Sequence, residues 1–180
     1  MQTVLFILGQ LNDDDVEWLI AEGVRAKYPD GARLIEEGQP NEDLFILLEG
    51  HVSISVAEVG EVAVAGSGEI LGEMTLVDSR PPSATVTAIE DCYALRLPHE
   101  ALRRQVEADL GFGMRFYRAL ATFLSQRLRS QRTLGFDEET GLDEYREQEG
   151  ELDVYILDQL HVAGARFDRL LKKMMRARAD

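Results

Sequence analysis

Hydrophobic and polar positions alternate with two different periods along the chain, and the change of period divides it into parts. Residues 25–97 mostly follow a period of two, with Val52, Ile54 and Val56 separated by serines. Turn residues such as Gly50 interrupt this part at short intervals. Short alternating segments with frequent turns are typical of an antiparallel sandwich or barrel. We therefore predict a mainly β structure, an antiparallel β-roll or jelly roll with flanking helices.

A helical period precedes the predicted β-roll and follows it. Asn12 and the aspartates at 13–15 are typical of a helix N-terminus, because a side-chain oxygen caps free N–H groups there and carboxylates suit the positive end of the helix dipole. We predict a short helix that begins at this point and ends at Gly23. Residues 98–134 predict a long helix, in which the two glycines at 111–113 favour a break or hinge.

The long helix carries two apolar stripes. The first stripe follows a 3–4 spacing through Leu110, Met114, Tyr117, Ala121, Leu124 and Leu128. The second stripe consists of Phe116, Leu120 and Phe123. One apolar stripe is enough to dock a helix on its own domain. A second apolar stripe needs another surface to cover it, most simply the same helix of a second subunit. We expect a homodimer through this helix; the alternative is a helix buried between the β-roll and the last helix.

The remaining residues predict a linker and a final helix. We divide the chain into a β-roll with its helices (1–134), an acidic solvated linker (135–151) and a C-terminal amphipathic helix (152–180). The final helix has an apolar edge made of Ile156, Leu160, Ala163, Phe167, Leu170 and Met174. This edge could contact a protein partner. The basic residues at its C-terminal end are interpreted as cations that suit the helix dipole.

Composition excludes several classes of function. The net charge of −14 argues against a nucleic acid or an anionic membrane as the main partner, because both attract basic proteins. The single Cys92 allows no intrachain disulfide and no thiolate metal cage, and together with a short apolar N-terminal run it favours a cytoplasmic protein. The three histidines are scattered, so we expect no metal. No catalytic motif is present, and we do not expect an enzyme.

The order of these segments resembles a known family. A short helix is followed by "GARLIEEGQPNEDLFILLEGHVSIS", by "GEILGEMTLVDSRPPSATVTA" (68–88) and by a long helix. This order is similar to the cyclic-nucleotide-binding domain of the bacterial catabolite activator and of protein kinase A regulatory subunits. The resemblance covers roughly residues 5–134 and implies a regulatory module that binds cyclic AMP or cyclic GMP. Residues after 134 are too few and too acidic for the DNA-reading domain of such an activator, so we expect no DNA partner.

The resemblance implies that residues 68–88 form a phosphate-binding cassette, a short helix between two strands. Backbone N–H groups in such an element can donate to an anion. The implied ligand-binding residues are Gly72, Glu73, Met74, Thr75, Arg80, Ser83, Ala84 and Thr85. Glu73 would accept a hydrogen bond from the ribose 2′-hydroxyl, since a carboxylate only accepts, and Thr85 would face the base.

The cassette departs from the family pattern at Pro82, which stands where the family has an arginine. A guanidinium typically contributes about 1.5–3 kcal/mol for each charge-assisted hydrogen bond to phosphate. Two hypotheses remain. The cavity takes a different or weaker small anionic ligand through Glu73, Ser83 and Arg80, or the β-roll is a scaffold for protein interaction or dimerisation without a nucleotide. In the second case a buried Glu73 needs another partner, such as Arg80 or a backbone amide.

Overall fold

The computed structural model describes residues 4–135 and 154–176 of the chain. The predicted linker at 135–151 lies outside them except for its first residue. The described strands are β1 (Val24–Tyr28), β2 (Arg33–Ile35), β3 (Asp43–Glu49), β4 (Val52–Val56), β5 (Gly60–Ala65), β6 (Ile70–Leu71), β7 (Thr85–Ala88) and β8 (Cys92–Pro98). The described helices are α1 (Val4–Gln10), α2 (Asp13–Glu22), α3 (Glu73–Asp78), α4 (His99–Ala108), α5 (Leu110–Gly135) and α6 (Val154–Arg176).

The strands form two four-stranded sheets. One sheet has the order β1-β8-β3-β6, and the other has the order β2-β7-β4-β5. All of the strand pairings are antiparallel. This arrangement confirms the predicted antiparallel β-roll with flanking helices.

Strand β3 separates two hydrophobic cores, because successive side chains of a strand point to opposite faces of the sheet. Leu44 and Ile46 belong to a cluster shared with the helices, whereas Phe45 and Leu47 belong to the cluster inside the β-roll. Both faces of the strand are therefore covered. This explains why its sequence, DLFILLE, is a continuous apolar run and does not alternate.

Helix α1 is an element that the sequence pattern did not predict. Its apolar run is too short for a helical period to be distinguished from that of a strand. Val4, Ile7 and Leu8 are buried in the cluster shared with the helices. Packing against the rest of the molecule therefore stabilises this seven-residue helix, which would be marginal alone.

The predicted start of α2 is confirmed. The Asn12 side chain accepts the N–H of Asp15 at 2.8 Å, and the Asp15 carboxylate accepts the N–H of Asn12 at 2.8 Å, which is a capping box. The buried Asp15 carboxylate also accepts two hydrogen bonds from Arg115 of α5, at 2.7 and 2.8 Å. The same aspartate therefore caps one helix and joins it to another.

The long helix predicted at 98–134 is divided into α4 and α5. Asp109 interrupts it with an extended conformation (φ −129°, ψ 97°), and its carboxylate accepts the N–H of Phe112 at 3.0 Å. The break predicted near the glycines at 111–113 is found two residues before Gly111, because Asp109 caps the new helix and the glycines lie in its first turn.

The two stripes of α5 have different surroundings. Phe116, Leu120 and Phe123 are buried in the cluster shared with the helices or at its edge. The large apolar residues of the other stripe that are exposed are Leu110, Met114, Tyr117 and Leu128. The alternative of a helix packed on its own domain therefore describes the phenylalanine stripe, and the second stripe remains uncovered in the monomer.

Helix α6 packs against the helices of its own chain. Ala163, Phe167, Leu170 and Met174 are buried in the cluster that α1 and α5 also form. The expectation that this edge is free for a protein partner is therefore wrong for these four residues, because the N-terminal helices cover it. The side chains of the other two edge residues, 156 and 160, lie outside the described part.

Polar contacts hold α6 on the N-terminal helices. The guanidinium of Arg166 donates to the carbonyls of Leu8 and Leu11 at 2.9 and 2.6 Å, and to the carboxylate of Asp13 at 2.8 Å. The last carbonyls of a helix lack intrahelical partners, so Arg166 satisfies the end of α1. Lys173 pairs with Glu17 of α2, so this cation joins two helices in addition to lying at a helix end.

Gly72 joins β6 to α3 in a conformation that requires glycine. Its φ is +85°, and a Cβ atom at this position would lie 2.5 Å from the carbonyl oxygen of Asp43 and 2.8 Å from the side-chain nitrogen of Asn41. The first of these neighbours is backbone, which cannot move aside easily. The start of the cassette helix is therefore held against the beginning of β3.

We expect Arg166→Met to lower the free energy of unfolding by about 1–3 kcal/mol, because two helix-end carbonyls lose their donor while the apolar part of the side chain is kept. Urea denaturation followed by circular dichroism measures the change. The matched control is Arg169→Met on the same helix, whose contacts to Asp13 and Glu17 are longer, at 3.7 and 3.8 Å. Equal effects of the two substitutions would show that the Arg166 hydrogen bonds do not contribute to the free energy of unfolding.

We expect Gly72→Ala to be more destabilising than Gly31→Ala. Gly31 also has a positive φ, of +79°, but has no atom within 4 Å of the Cβ position. Its substitution therefore carries only the conformational cost, about 1–2 kcal/mol, whereas Gly72→Ala adds a clash worth about 1–3 kcal/mol more. Thermal and urea unfolding of the two variants measure the difference, and indistinguishable stabilities would refute the close contact with Asp43.

Candidate functional site

The predicted cassette forms an elbow between the two sheets. Helix α3 follows β6 and ends at Ser79, which has a left-handed conformation (φ 58°), and a segment without regular secondary structure then leads to β7. The Pro82 carbonyl accepts the N–H of Gly38 at 2.9 Å. The Thr85 hydroxyl accepts the N–H of Glu37 at 3.1 Å. The second half of the elbow is thus tied to the turn that follows β2.

A small cavity lies between this elbow, the β-roll and the long helix. Its lining residues are Ile35, Ile54, Leu71, Gly72, Glu73, Met74, Thr75, Pro82, Ser83, Ala84, Val86 and Arg127. The cavity volume is about 70 Å³, well below the roughly 300–1,000 Å³ of typical small-molecule sites. A ligand of nucleotide size therefore requires part of the wall to move.

Glu73 is the acidic residue among those that line this cavity. Its side chain is only 3% exposed, and its carboxylate accepts a hydrogen bond from the guanidinium of Arg127 at 2.9 Å. Burial raises the pKa of the Glu73 carboxyl above its ordinary value, and the charge of Arg127 and the N–H of Glu73 itself offset only part of this rise. The buried environment thus disfavours the charged form of the Glu73 carboxyl, and Arg127 of α5 stabilises that form.

The structure brings together six of the eight residues that the resemblance implied. Gly72, Glu73, Met74, Thr75, Ser83 and Ala84 line the cavity. Arg80 does not line it; its side chain is 84% exposed and lies 4.0 Å from Asp78. Thr85 does not line it either, because its hydroxyl contacts the Glu37 backbone. The arginine that was considered as a partner of a buried Glu73 therefore faces solvent.

Arg127 is the site residue that the sequence reasoning missed. It lies on α5, 54 residues after the glutamate with which it pairs. A signal was present, because Arg127 follows Phe116, Leu120 and Phe123 at the same 3–4 spacing. A charged residue that continues a buried apolar stripe must reach a buried partner or solvent, and Glu73 was the acidic residue that needed one.

His99 contacts the backbone at the start of the cassette. The residue is buried, and its N–H donates to the carbonyl of Glu42 at 2.7 Å. Burial, and then the charge of Arg103, lower the pKa of His99, although the charge of Asp43 and backbone contacts with Gly72 and Asp43 act in the opposite direction. The imidazole is therefore a neutral packing element at neutral pH. Across the described ranges 4–135 and 154–176, no three His, Cys, Asp or Glu side chains are placed to hold a metal ion.

Comparisons with known proteins agree with this geometry. The family model of the cyclic nucleotide-binding domain matches residues 25–109. The cAMP-dependent protein kinase regulatory subunit of Aspergillus fumigatus is 34% identical over 87 residues, which cover 47% of this chain and 21% of that protein. The cyclic AMP receptor protein of Thermus thermophilus is 30% identical over 94 residues, which cover 50% of this chain and 44% of that protein. The chain thus spans less than half the length of either relative.

A solved structure supports the fold. A cyclic nucleotide-binding domain from Methylobacillus flagellatus aligns with a TM-score of 0.65 at 24% identity, over 77% of this chain and 85% of that chain. Within the part of the chain that the structure describes, no helix has the length and apolar character needed to cross a membrane. The β-roll, the elbow at 72–84 and the matched residues 25–109 lead to one conclusion: residues 25–109 match the cyclic nucleotide-binding domain family in sequence, and the chain shares the fold of such a domain.

Proposed function

We propose that this chain is a regulatory module that senses a small anionic ligand in the cavity beside α3, with cyclic AMP and cyclic GMP as the first candidates. The observation that carries the proposal is the buried carboxylate of Glu73 on the wall of a mostly apolar cavity. A few polar groups in an apolar cleft are typical of a ligand site. The names of the two relatives, a regulatory subunit and a receptor protein, support the same class of function.

In this proposal each part of the elbow has a role. Glu73 accepts a hydrogen bond from the ribose 2′-hydroxyl, and Gly72 lets the backbone come close to the phosphate. The backbone at Met74 and Thr75, in the first turn of α3, lies on the same side of the cavity as Glu73. Ser83 and Ala84 approach the ligand from the opposite wall. Arg80 and Thr85 have no ligand contact in this arrangement.

We further propose a homodimer in which the exposed stripe of α5 meets the same stripe of a second copy. Leu110, Met114 and Leu128 are 80%, 69% and 63% exposed, which is unusual for large apolar residues at regular helical spacing. The strongly negative charge of the chain argues against nucleic acid and anionic membranes as partners. We place the module in the cytoplasm, with a role in regulation and not in catalysis.

The second candidate function is a scaffold that binds no nucleotide. It is favoured by the ion pair itself, because Arg127 already satisfies Glu73 without any ligand. The small cavity and the proline at the usual arginine position point in the same direction. In this case the exposed stripe of α5 is the functional surface.

We expect cyclic AMP or cyclic GMP to raise the melting temperature of the protein in a concentration-dependent manner, because a ligand that binds only the folded state stabilises it. Calorimetry then gives the affinity. The matched control ligand is 2′-deoxy cyclic AMP, which lacks the hydroxyl assigned to Glu73 and should bind about 10- to 100-fold more weakly. No shift with either nucleotide at millimolar concentration would favour the scaffold.

We expect light scattering to report a particle of twice the chain mass, and Met114→Lys to shift it toward the monomer, because a charge on each copy would face the other across the apolar contact. The matched control is Val62→Lys, which places the same charge at an exposed valine of β5, away from the long helix. A monomer at all concentrations would exclude the dimer, and equal effects of both variants would exclude α5 as its interface.

A further inference from the structure

The cavity needs a positive charge if it is to hold an anion. Glu73 is negative and buried, and the chain as a whole carries a charge of −14, so an anionic ligand would meet repulsion from both. The cassette offers no cation, because Pro82 stands at the position of the family arginine and Arg80 is turned toward solvent. Among the described side chains that line the cavity, Arg127 is the one cation.

We propose that Arg127 is the anion-binding group of this cavity and exchanges its partner when the ligand enters. This inference rests on the proposed sensing function and deepens it. In the described conformation the guanidinium of Arg127 donates to Glu73 at 2.9 Å. In the liganded state Arg127 pairs with the phosphate, and Glu73 accepts a hydrogen bond from a neighbouring hydroxyl of the same ligand.

The small size of the cavity supports an exchange of partners. A volume of about 70 Å³ is well below the roughly 300–1,000 Å³ of typical ligand sites, and Arg127 is part of the lining that would have to give way. The side chain of Arg127 is 39% exposed, so it can move outward without unfolding its helix. A guanidinium has five N–H donors in a planar fork that suits both carboxylate and phosphate, which makes the same residue a good partner for either.

The exchange also defines the class of ligand. Release of Arg127 leaves the buried Glu73 without its partner, and such a loss is costly unless a new donor arrives. A simple anion supplies no such donor. A ribose phosphate with a hydroxyl beside the phosphate satisfies both groups together, so we infer a ligand of this class and not an inorganic anion.

The position of Arg127 links the site to the long helix. Arg127 follows the buried residues Phe116, Leu120 and Phe123 along one face of α5, so packing of that stripe determines where its backbone lies. The opposite face of α5 carries the exposed apolar stripe. A change of partner at Arg127 therefore acts on the same helix that we propose as the dimer contact, and ligand binding and assembly should affect each other.

The main experiment measures binding of cyclic AMP and cyclic GMP by calorimetry to the full chain and to its variants. We expect Arg127→Ala to weaken binding about 10- to 100-fold, and Arg127→Lys to weaken it less, because the charge remains and the fork is lost. Adding Pro82→Arg to Arg127→Ala should restore binding, since it returns a guanidinium to the cassette. The control is Arg118→Ala on an exposed turn of α5, which should bind like the wild type.

The outcomes separate this inference from the sensing function. If the wild type binds and Arg127→Ala binds equally well, the role of Arg127 is overturned and the sensing function stands. If Pro82→Arg fails to rescue a binding loss, Arg127 has a structural role only, and the inference is again overturned. Absence of binding to every protein contradicts the sensing function.

A second measurement tests Arg127 without any nucleotide. Glu73→Gln removes the negative charge beside Arg127, so inorganic phosphate should stabilise this variant more than the wild type in thermal unfolding. The double variant Glu73→Gln/Arg127→Ala should lose this gain. If phosphate stabilises the single and double variants equally, Arg127 is not an anion-binding group, and the inference fails whatever the nucleotides do.

Discussion

The ion pair between Glu73 and Arg127 joins two elements that are distant in sequence and adjacent in the fold. A carboxylate with 3% exposure is costly to keep in an apolar wall unless a cation or donor meets it. The cation comes from α5, and the carboxylate comes from the first residue of the cassette helix. Both residues line the cavity, so the ion pair connects its wall to the long helix.

The rest of the helical layer keeps the long helix in position for this contact. Asp15 caps α2 and holds Arg115 of α5 with two hydrogen bonds, while the phenylalanine stripe packs into the shared core. Helix α6 closes the same layer from the other side, with Arg166 satisfying the carbonyls at the end of α1. The helices and one sheet of the β-roll thus share a single core, so α5 cannot shift without repacking its neighbours.

Local sequence signals predicted much of the fold and part of the site. Period-two alternation, the capping residue Asn12 and the segment 68–88 each have a short-range physical cause, and each led to the right element. The prediction that the apolar edge of α6 binds a protein partner was wrong for its buried residues. An amphipathic pattern shows that one face of a helix is buried, but it does not identify the element that buries it. The helix break was expected near Gly111 and Gly113, and it lies two residues before Gly111, where the side chain of Asp109 stabilises it.

The sequence by itself determined the β-roll and the acidic residue at the start of the cassette, since these depend on short segments with their own periodicity and turn chemistry. Only the tertiary structure decided which cation meets that residue. Arg80 is seven positions from Glu73 and points to solvent, while Arg127 is 54 positions away and bonds to it. The physical reason is that the packing of a helix on a sheet brings distant side chains together, and separation along the chain carries no information about that packing.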